Sequence, residues 1–329
     1  MLLAKQKTSE VGGVHRLIGH SESVRHLRER ICTYAHSMLP VLIEGETGTG
    51  KELVARALHD ESPRSAGPFV PVDCGALPES LAEAELFGHR RGAFTGAVVD
   101  RQGLVAVAEG GTLFLDEVEN LSLALQAKLL RFLQTADYRP LGAARTVKAR
   151  VRVLAASNVN LGELVAAGGF RLDLLFRLDV LRICLPPLRE RTEDLVLIAR
   201  DLLARGTPCT ASVGSDIPGH EIVRHWASHS WPGNVRELIN LVERARVFAP
   251  GLGWPAAWRE VTAELSAERI GFGVPARVAA GGASECGHLE SLLDRHRWQR
   301  ASAARELGIS RVTLWRRMRR LGLLPGALT

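Results

Sequence analysis

The sequence predicts an α/β domain built on a parallel sheet, followed by a helical subdomain and a small basic helical module. Short apolar runs alternate with helical periodicity in the first part of the chain, which is typical of a parallel sheet flanked by helices. Beyond residue 185 the strand patterns stop and amphipathic helical patterns follow. A stretch rich in Gly, Pro and Ala then precedes a segment rich in arginine, which indicates a linker and a separate module.

The individual elements follow from these patterns. Strands are predicted over 40–43, 69–72, 112–115, 151–155 and 181–185, and helices over 192–205, 220–229 and 234–248. The resulting boundaries are a short tail over 1–16, the α/β domain over 17–187, the helical subdomain over 188–249, a linker over 250–287 and the basic module over 288–329.

Composition narrows the class of protein. The 329 residues are 46% hydrophobic, which indicates a folded chain with a sizeable core. The net charge is +6, and nine arginines against four acidic residues lie between Glu285 and the C-terminus. Five scattered cysteines without a C-x-x-C pair predict neither a disulfide framework nor a zinc site. No signal peptide or apolar run of membrane-spanning length is present in the sequence, so we expect a cytoplasmic protein that does not associate with a membrane.

The segment VLIEGETGTGKELVARALH combines an apolar strand, a glycine-rich loop and a helix. Backbone amides of such a loop, a lysine and the positive end of the helix bind phosphate oxygens. Glu52 occupies the position at which serine or threonine usually contacts Mg²⁺, so the metal ion must rely on other groups. The candidate nucleotide-binding residues are Gly45, Glu46, Thr47, Gly48, Thr49, Gly50, Lys51 and Glu52.

Polar residues follow two further apolar strands. GGTLFLDEVEN ends its strand at Asp116 and Glu117, and VRVLAASN ends at Ser157 and Asn158. Ligands of open α/β sheets bind at the carboxyl ends of the strands. We therefore expect Asp116 to hold Mg²⁺ through water, Glu117 to deprotonate the attacking water, and the polar residues of the second strand to sense the γ-phosphate.

Two features have more than one interpretation from the residues alone. Arg171, Arg177 and Arg236 are candidates to stabilise the transition state of phosphoryl transfer, or are surface ion-pair partners. In ELFGHRRGAFTGA, glycines flank Phe94, and the ring either folds back beneath a surface loop or is held outward for a partner.

The motifs GETGTGKE, ELFGHRRGAFTGA, GGTLFLDEV, FRLDLLFRL, LPPLRER and WPGNVREL occur in this order. The chain thereby resembles the bacterial enhancer-binding proteins, the NtrC-like AAA+ activators of sigma-54 RNA polymerase. The resemblance covers residues 17–248 and resumes at the C-terminal module. It implies an AAA+ P-loop ATPase with an α-helical lid and a Fis-type helix-turn-helix, using ATP and Mg²⁺ to remodel the closed polymerase complex into an open complex.

The resemblance also implies roles for individual residues. The hexapeptide Gly92, Ala93, Phe94, Thr95, Gly96 and Ala97 would contact sigma-54. Arg171 and Arg177 would reach the nucleotide of a neighbouring subunit, and Arg236 would sense the nucleotide within its own subunit. This arrangement implies a ring, normally a homo- or hetero-hexamer. The resemblance also implies that a glutamate at the position of Glu52 is a family trait of this P-loop.

Two departures from the family pattern affect regulation. Asp73 stands where the family often has an asparagine that restrains the catalytic glutamate, and its charge would repel Glu117. At most sixteen residues precede the ATPase, which leaves no room for the N-terminal regulatory domain usual in the family. We therefore expect control by a regulatory protein acting in trans, by a partner activator or by expression level.

The basic segment RWQRASAARELGISRVTLWRRMRRLGL predicts two helices broken at Gly308, with Ser310 capping the second helix. This turn pattern is typical of a helix-turn-helix and is similar to the Fis-type module of these activators. Which helix face contacts bases stays open. The candidate residues for contact with enhancer DNA in the major groove are Arg311, Thr313, Arg316 and Arg317, and those for contact with phosphates are Arg319, Arg320 and Arg300.

Two rival functions remain at this stage. The chain would be a DNA-binding regulator of another polymerase form with a vestigial ATPase, or a general AAA+ remodeller or replication initiator. The intact hexapeptide and strand-end carboxylates disfavour the first, and the second leaves the Phe94 loop unexplained.

Overall fold

A five-stranded parallel sheet organises the first part of the chain in the computed structural model, which describes residues 13–94, 96–205, 218–271 and His296. The strands are β1 (Val41–Glu44), β2 (Phe69–Asp73), β3 (Gly88–His89), β4 (Arg101–Gln102), β5 (Thr112–Asp116), β6 (Asp137–Tyr138), β7 (Val147–Lys148), β8 (Arg152–Ser157) and β9 (Leu181–Cys184). The sheet has the order β2-β5-β8-β1-β9, so all five predicted strands belong to it.

The helices lie between and after these strands. They are α1 (Glu22–Ala35), α2 (Lys51–Asp60), α3 (Glu79–Phe87), α4 (Leu104–Val107), α5 (Leu123–Thr135), α6 (Leu161–Ala166), α7 (Leu172–Leu178), α8 (Leu195–Arg205), α9 (His220–Ala227), α10 (Asn234–Leu252) and α11 (Trp254–Gly271). Short 3₁₀ turns occupy Gly13–Arg16, Val118–Asn120, Leu188–Glu190 and Thr192–Asp194. None of the helices in the described ranges combines the length and apolar character needed to cross a lipid bilayer.

The central strands β5, β8 and β1 are buried on both faces of the sheet, which explains why they are continuous apolar runs in the sequence. Along β1, Val41 and Ile43 pack with α1 and α2, whereas Leu42 packs in the core on the other face with Leu113 and Leu115. Because successive side chains of a strand point to opposite faces of the sheet, one strand contributes to two hydrophobic cores. The strand register aligns Glu44 with Ser157, and Asp73 with Asp116, at the carboxyl edge of the sheet.

A buried arginine joins the sheet to the ends of two helices. The Arg152 guanidinium donates to the carbonyl of Tyr34 at 2.7 Å and of Ala35 at 2.9 Å, and to the Leu58 carbonyl at 3.3 Å. Carbonyls at helix ends have no partner within the helix, and a cation also suits the negative end of the dipole. Burial lowers the pKa of Arg152 to about 10.

The helical subdomain has its own core, built around three fully buried tryptophans. The ring of Trp226 lies 5.5 Å from that of Trp258 and 6.1 Å from that of Trp231, both in edge-to-face geometry. Val261 and Leu265 of α11 are buried in the same cluster.

The structure corrects part of the predicted linker. Residues 254–271, which fall in the stretch predicted as a linker, form helix α11, and α10 continues through Pro250 to Leu252. Glycine and proline suggested an unstructured segment, but Trp254 and Trp258 provide enough apolar surface to hold the helix against α9 and α10. Residues to Ser266 form one compact unit, and the second unit, Ala267–Thr329, lies almost entirely outside the described residues.

Candidate functional site

The glycine-rich loop joins β1 to α2, as the sequence predicted. Gly48 and Gly50 have φ of +80° and +102°, a backbone conformation that L side chains rarely adopt. A Cβ on Gly48 would lie 2.2 Å from the carbonyl oxygen of Gly233, so this position also lacks space for a side chain. The turn aims the first backbone amides of α2 into the loop, which suits phosphate oxygens.

Lys51 is almost fully buried, and its ammonium group donates to the carbonyls of Gly45 (2.8 Å) and Glu46 (3.1 Å) and to Oδ1 of Asn158. An ammonium group has three donors, so each is engaged. Burial lowers the pKa of Lys51, and the carboxylates of Asp116, Glu119 and Glu117 oppose that shift. Phosphate oxygens that bind Lys51 would therefore have to replace at least one of these three protein acceptors.

The two acids at the end of β5, Asp116 and Glu117, lie beside this lysine. Burial raises the pKa of Asp116, and the nearby Lys51 charge partly offsets the effect. Glu117 adopts a φ of +54°, and its amide donates to Oδ1 of Asp116 at 3.0 Å. The sequence prediction that strand ends bring these residues together is thus consistent with the geometry.

Glu117 is held by two asparagines. Nδ2 of Asn158 donates to its Oε1 at 2.9 Å, and Nδ2 of Asn120 donates to its Oε2 at 2.9 Å. The backbone amide of Asn158 donates to Glu119 at 3.0 Å. Asn158 therefore contacts Lys51 through its oxygen and Glu117 through its nitrogen.

Asn120 and Glu119 were missed in the sequence analysis. They lie in the 3₁₀ turn after the strand, and the only signal was their place in the polar run that follows Glu117. The turn brings Asn120 back toward Glu117. The expectation that functional residues lie at the carboxyl ends of strands does not predict this contact. The backbone of Gly75 also approaches this point, since a Cβ there would lie 2.7 Å from Oε2 of Glu117.

Three other candidates make local contacts. Asp73 accepts hydrogen bonds from the backbone amides of Gly75 and Ala76 at 2.9 and 3.2 Å, so its carboxylate caps a local turn. Ser157 donates to the carbonyl of Val159 at 2.9 Å. Glu52 forms an ion pair with Arg56 on the exposed side of α2, at 2.9 Å.

The start of the loop is bound by the helical subdomain. Arg189 forms a bidentate ion pair with Glu46 at 2.7 and 2.8 Å. The buried Asn234 donates to Glu46 at 3.1 Å and to the Thr47 carbonyl at 3.0 Å. The amide of Val235 donates to the Gly48 carbonyl at 3.0 Å. Loop and lid are therefore joined by side-chain and backbone contacts.

The three candidate arginines lie in different places. Arg236 is on α10 near the loop, and its charge adds to the lowering of the Lys51 pKa that burial mainly causes. Arg171 is the N-cap residue that precedes α7, Arg177 lies in the last turn of α7, and both are exposed. Arg171 pairs with Asp173 at 2.7 Å, and Arg177 donates to the Leu133 carbonyl. None of these partners belongs to the glycine-rich loop, so the structure places Arg236, but neither of the other two, beside it.

The glycine-flanked loop is a short closed turn. The amide of Gly92 donates to the Ala97 carbonyl at 2.8 Å, and Asp100 accepts from the Arg91 amide at 2.8 Å and from the Arg90 side chain. Phe94 is half-buried, with its ring 5.0 Å from that of His89 in edge-to-face geometry. The His89 imidazole provides a local packing surface for this ring.

Some candidates lie outside the described residues. These are Thr95, Arg300, Arg311, Thr313, Arg316, Arg317, Arg319 and Arg320.

The residues fit a bound nucleotide and a magnesium ion. The loop offers backbone amides and Lys51 to phosphates, and Asp116 is a half-buried carboxylate beside them. Within the described ranges no cluster of three or more His, Cys, Asp or Glu side chains is arranged to hold a metal ion. A magnesium ion beside Asp116 would take its other oxygen ligands from phosphates and water.

Three family models match the chain. A model described as the sigma-54 interaction domain matches residues 17–184, an AAA+ ATPase lid domain matches 189–256, and a bacterial regulatory protein of the Fis family matches 283–321. The first model alone spans half of the chain. It includes the glycine-rich loop, both strand-end acids and the Phe94 loop.

Relatives and solved structures agree with these models. The response regulator protein PilR of Pseudomonas aeruginosa is 40% identical over 321 residues, covering 94% of this chain and 70% of PilR. The anaerobic nitric oxide reductase transcription regulator NorR of Citrobacter koseri is 51% identical over 238 residues, covering 71% of this chain and 46% of NorR. The crystal structure of NtrX from Brucella abortus in complex with ATP has 30% identity and a TM-score of 0.66, covering 93% of this chain and 69% of NtrX. The chain belongs to the sigma-54-dependent transcriptional activators, which join an AAA+ P-loop ATPase and its lid to a Fis-family DNA-binding domain.

Proposed function

We propose that this protein binds enhancer DNA and uses ATP hydrolysis to convert the closed complex of sigma-54 RNA polymerase into an open complex. The observation that carries the proposal is the set of contacts around Lys51, Asn158 and Glu117 within the matched sigma-54 interaction domain. One amide side chain contacts both the phosphate-binding lysine and the catalytic carboxylate.

The chemistry follows from these contacts. The loop from Gly45 to Lys51 binds the phosphates of ATP, and Asp116 would hold Mg²⁺, which supplies charge neutralisation on the phosphates when bound. Glu117 accepts a proton from the attacking water. When phosphate oxygens replace Asn158 at Lys51, the side chain that also restrains Glu117 changes partners.

We further infer that the subunits form a ring, as a homo- or hetero-hexamer. Arg171 precedes α7, Arg177 lies in its last turn, and both are exposed with hydrogen bonds to Asp173 and the Leu133 carbonyl rather than to the glycine-rich loop. This supports a role at the nucleotide of a neighbouring subunit, where an arginine on the transition state is worth about 10³–10⁵ in rate. Arg236 would respond to nucleotide within the subunit. A regulatory protein would control this activator in trans.

The hexapeptide from Gly92 to Ala97 would transmit the nucleotide state to sigma-54, and the basic C-terminal residues would hold the ring at its enhancer. In vitro transcription with purified sigma-54 polymerase tests the whole proposal. Open complexes are expected with ATP and absent with a non-hydrolysable analogue. Activation that persists with the analogue contradicts the coupling.

Two variants separate the parts of this proposal. Glu117→Gln is expected to bind ATP with unchanged affinity and to lose turnover by about 10²–10⁴-fold, since a general base contributes this much. Thr95→Ala is expected to retain ATP hydrolysis and lose open-complex formation. Normal hydrolysis by the first variant, or normal activation by the second, would remove the corresponding role.

A further inference from the structure

The exposed apolar surface of the glycine-flanked loop is a pair of valines that follows the hexapeptide. Val98 and Val99 are 73% and 65% exposed, whereas the Phe94 ring packs against His89 and Ala97 is buried. Single exposed apolar residues are ordinary, but here two β-branched residues are adjacent at the end of a partner-binding motif. We call Val98 and Val99 the valine pair.

The backbone on both sides of the valine pair is held by hydrogen bonds. The amide of Ala97 donates to the Phe94 carbonyl at 3.0 Å, and the amide of Val98 donates to the Gly96 carbonyl at 2.9 Å. On the other side, Asp100 accepts from the Arg91 amide at 2.8 Å and from the Arg90 side chain. Because valine has only one side-chain torsion, covering these residues costs little side-chain entropy.

We propose that the valine pair is an apolar contact surface for sigma-54, continuous with the hexapeptide. This inference rests on the proposed function of the loop. The occupant is assigned by continuity, since the valine pair directly follows the hexapeptide and lies inside the matched sigma-54 interaction domain. Removing two valine side chains from water favours an apolar segment of that protein rather than a phosphate backbone, which requires cations.

Binding of purified sigma-54 to the full-length protein, trapped with ADP and aluminium fluoride, tests this inference. The double variant Val98→Ser with Val99→Ser is expected to bind about 10-fold or more weakly, because burial of a valine is worth at least this factor. Val98→Ile with Val99→Ile keeps an apolar surface and is expected to bind within about threefold of the unmodified protein.

Val247→Ser is the matched control, because Val247 is 77% exposed on α10, away from the loop. It is expected to leave sigma-54 binding unchanged. Equal binding by the double serine variant and this control would overturn the inference. A smaller assembly of the double variant by light scattering would also overturn it, by assigning the valine pair to contact with a second copy of the chain.

The design separates this inference from the proposed function. If the unmodified trapped protein binds sigma-54 and the serine variant binds equally well, only the valine pair is excluded. If the unmodified protein does not bind sigma-54 at all, the loop's function and this inference both fail.

Discussion

At the scale of single residues, the site contains backbone conformations that are rare for non-glycine residues, and side chains that hydrogen-bond to more than one partner. Four non-glycine residues in the described part of the chain have positive φ, and two of them, Glu117 and Asn234, belong to the site. Such conformations cost on the order of 1–3 kcal/mol and persist where surrounding contacts enforce them. Here the contacts are the amide of Asn120 on Glu117, and the carbonyl of Thr47 with Glu46 on Asn234.

Asn120→Ala tests how Glu117 is positioned. Removing the Asn120 amide leaves one oxygen of the carboxylate without its 2.9 Å donor. We expect kcat for ATP hydrolysis to fall about 10-fold while KM stays within about twofold, because misplacing a general base affects turnover more than binding. Asn160→Ala is the control, since Asn160 caps α6 and does not contact Glu117. A change in KM alone, or a rise in kcat, would contradict the positioning role.

His59 predicts a pH dependence of stability. Its ring is almost fully buried on α2, with Nδ1 2.9 Å from the Thr112 hydroxyl, and burial lowers its pKa in the folded protein. As pH falls below about 6.5, the unfolded chain takes up a proton that the folded chain resists, so the free energy of unfolding decreases. This stability is fully present above that pH.

Thermal unfolding between pH 7.5 and 5.5 checks the effect. We expect Tm to fall with pH in the unmodified protein and to fall less steeply in His59→Gln. His26→Gln serves as the control, because the His26 side chain is 64% exposed. Equal pH slopes for the unmodified protein and His59→Gln would assign the dependence to other groups.

At the scale of elements, prediction from the sequence succeeded where burial imposes a simple pattern. The central strands β5, β8 and β1 were predictable because each is buried on both faces. Asp116 and Glu117 were predictable because they lie at and just after the end of such a strand. Asn120 was not predictable in this way, since its approach to Glu117 depends on a 3₁₀ turn. Helix α11 was missed because local composition suggested a linker, whereas its stability comes from tertiary contacts of its tryptophans.

Trp258→Ala tests whether α11 is part of the lid core. Trp258 is fully buried and packs on the rings of Trp226 and Trp254. Truncating such a residue costs about 3–5 kcal/mol, so we expect a large fall in the free energy of lid unfolding, measured by circular dichroism in urea. Val247→Ala, at an exposed position of α10, is expected to change it by less than about 0.5 kcal/mol. Equal stability of both variants would exclude α11 from the core.

At the scale of the whole molecule, the proposed site residues do not all lie together in one chain. The glycine-rich loop, Lys51 and the Glu117 carboxylate lie together, but Arg171 and Arg177 hydrogen-bond elsewhere. A ring would bring the arginines of one subunit to the loop of the next, and this can be tested without a structure of the assembly.

Mixing two inactive variants tests this arrangement. Arg177→Ala removes an arginine from the neighbouring site, and Glu117→Gln removes the base from the subunit's own site. In a mixed ring, some junctions pair an intact Glu117 with an intact Arg177, so part of the ATPase activity is expected to return. Each variant alone, at the same total concentration, is the control. Mixtures that stay as inactive as the separate variants would place Arg177 within its own site.

The backbone contact between Gly48 and the lid has a kinetic consequence. The Gly233 carbonyl leaves no room for a side chain at position 48, and the Val235 amide donates to Gly48, so the backbone of the phosphate loop contacts the start of α10. We therefore expect entry and departure of nucleotide to be sensitive to movement of α10, whose Leu238 and Leu241 pack in the same cluster as the tryptophans. A substitution in the lid core, far from the phosphates, is therefore expected to alter the rate at which ADP is exchanged for ATP.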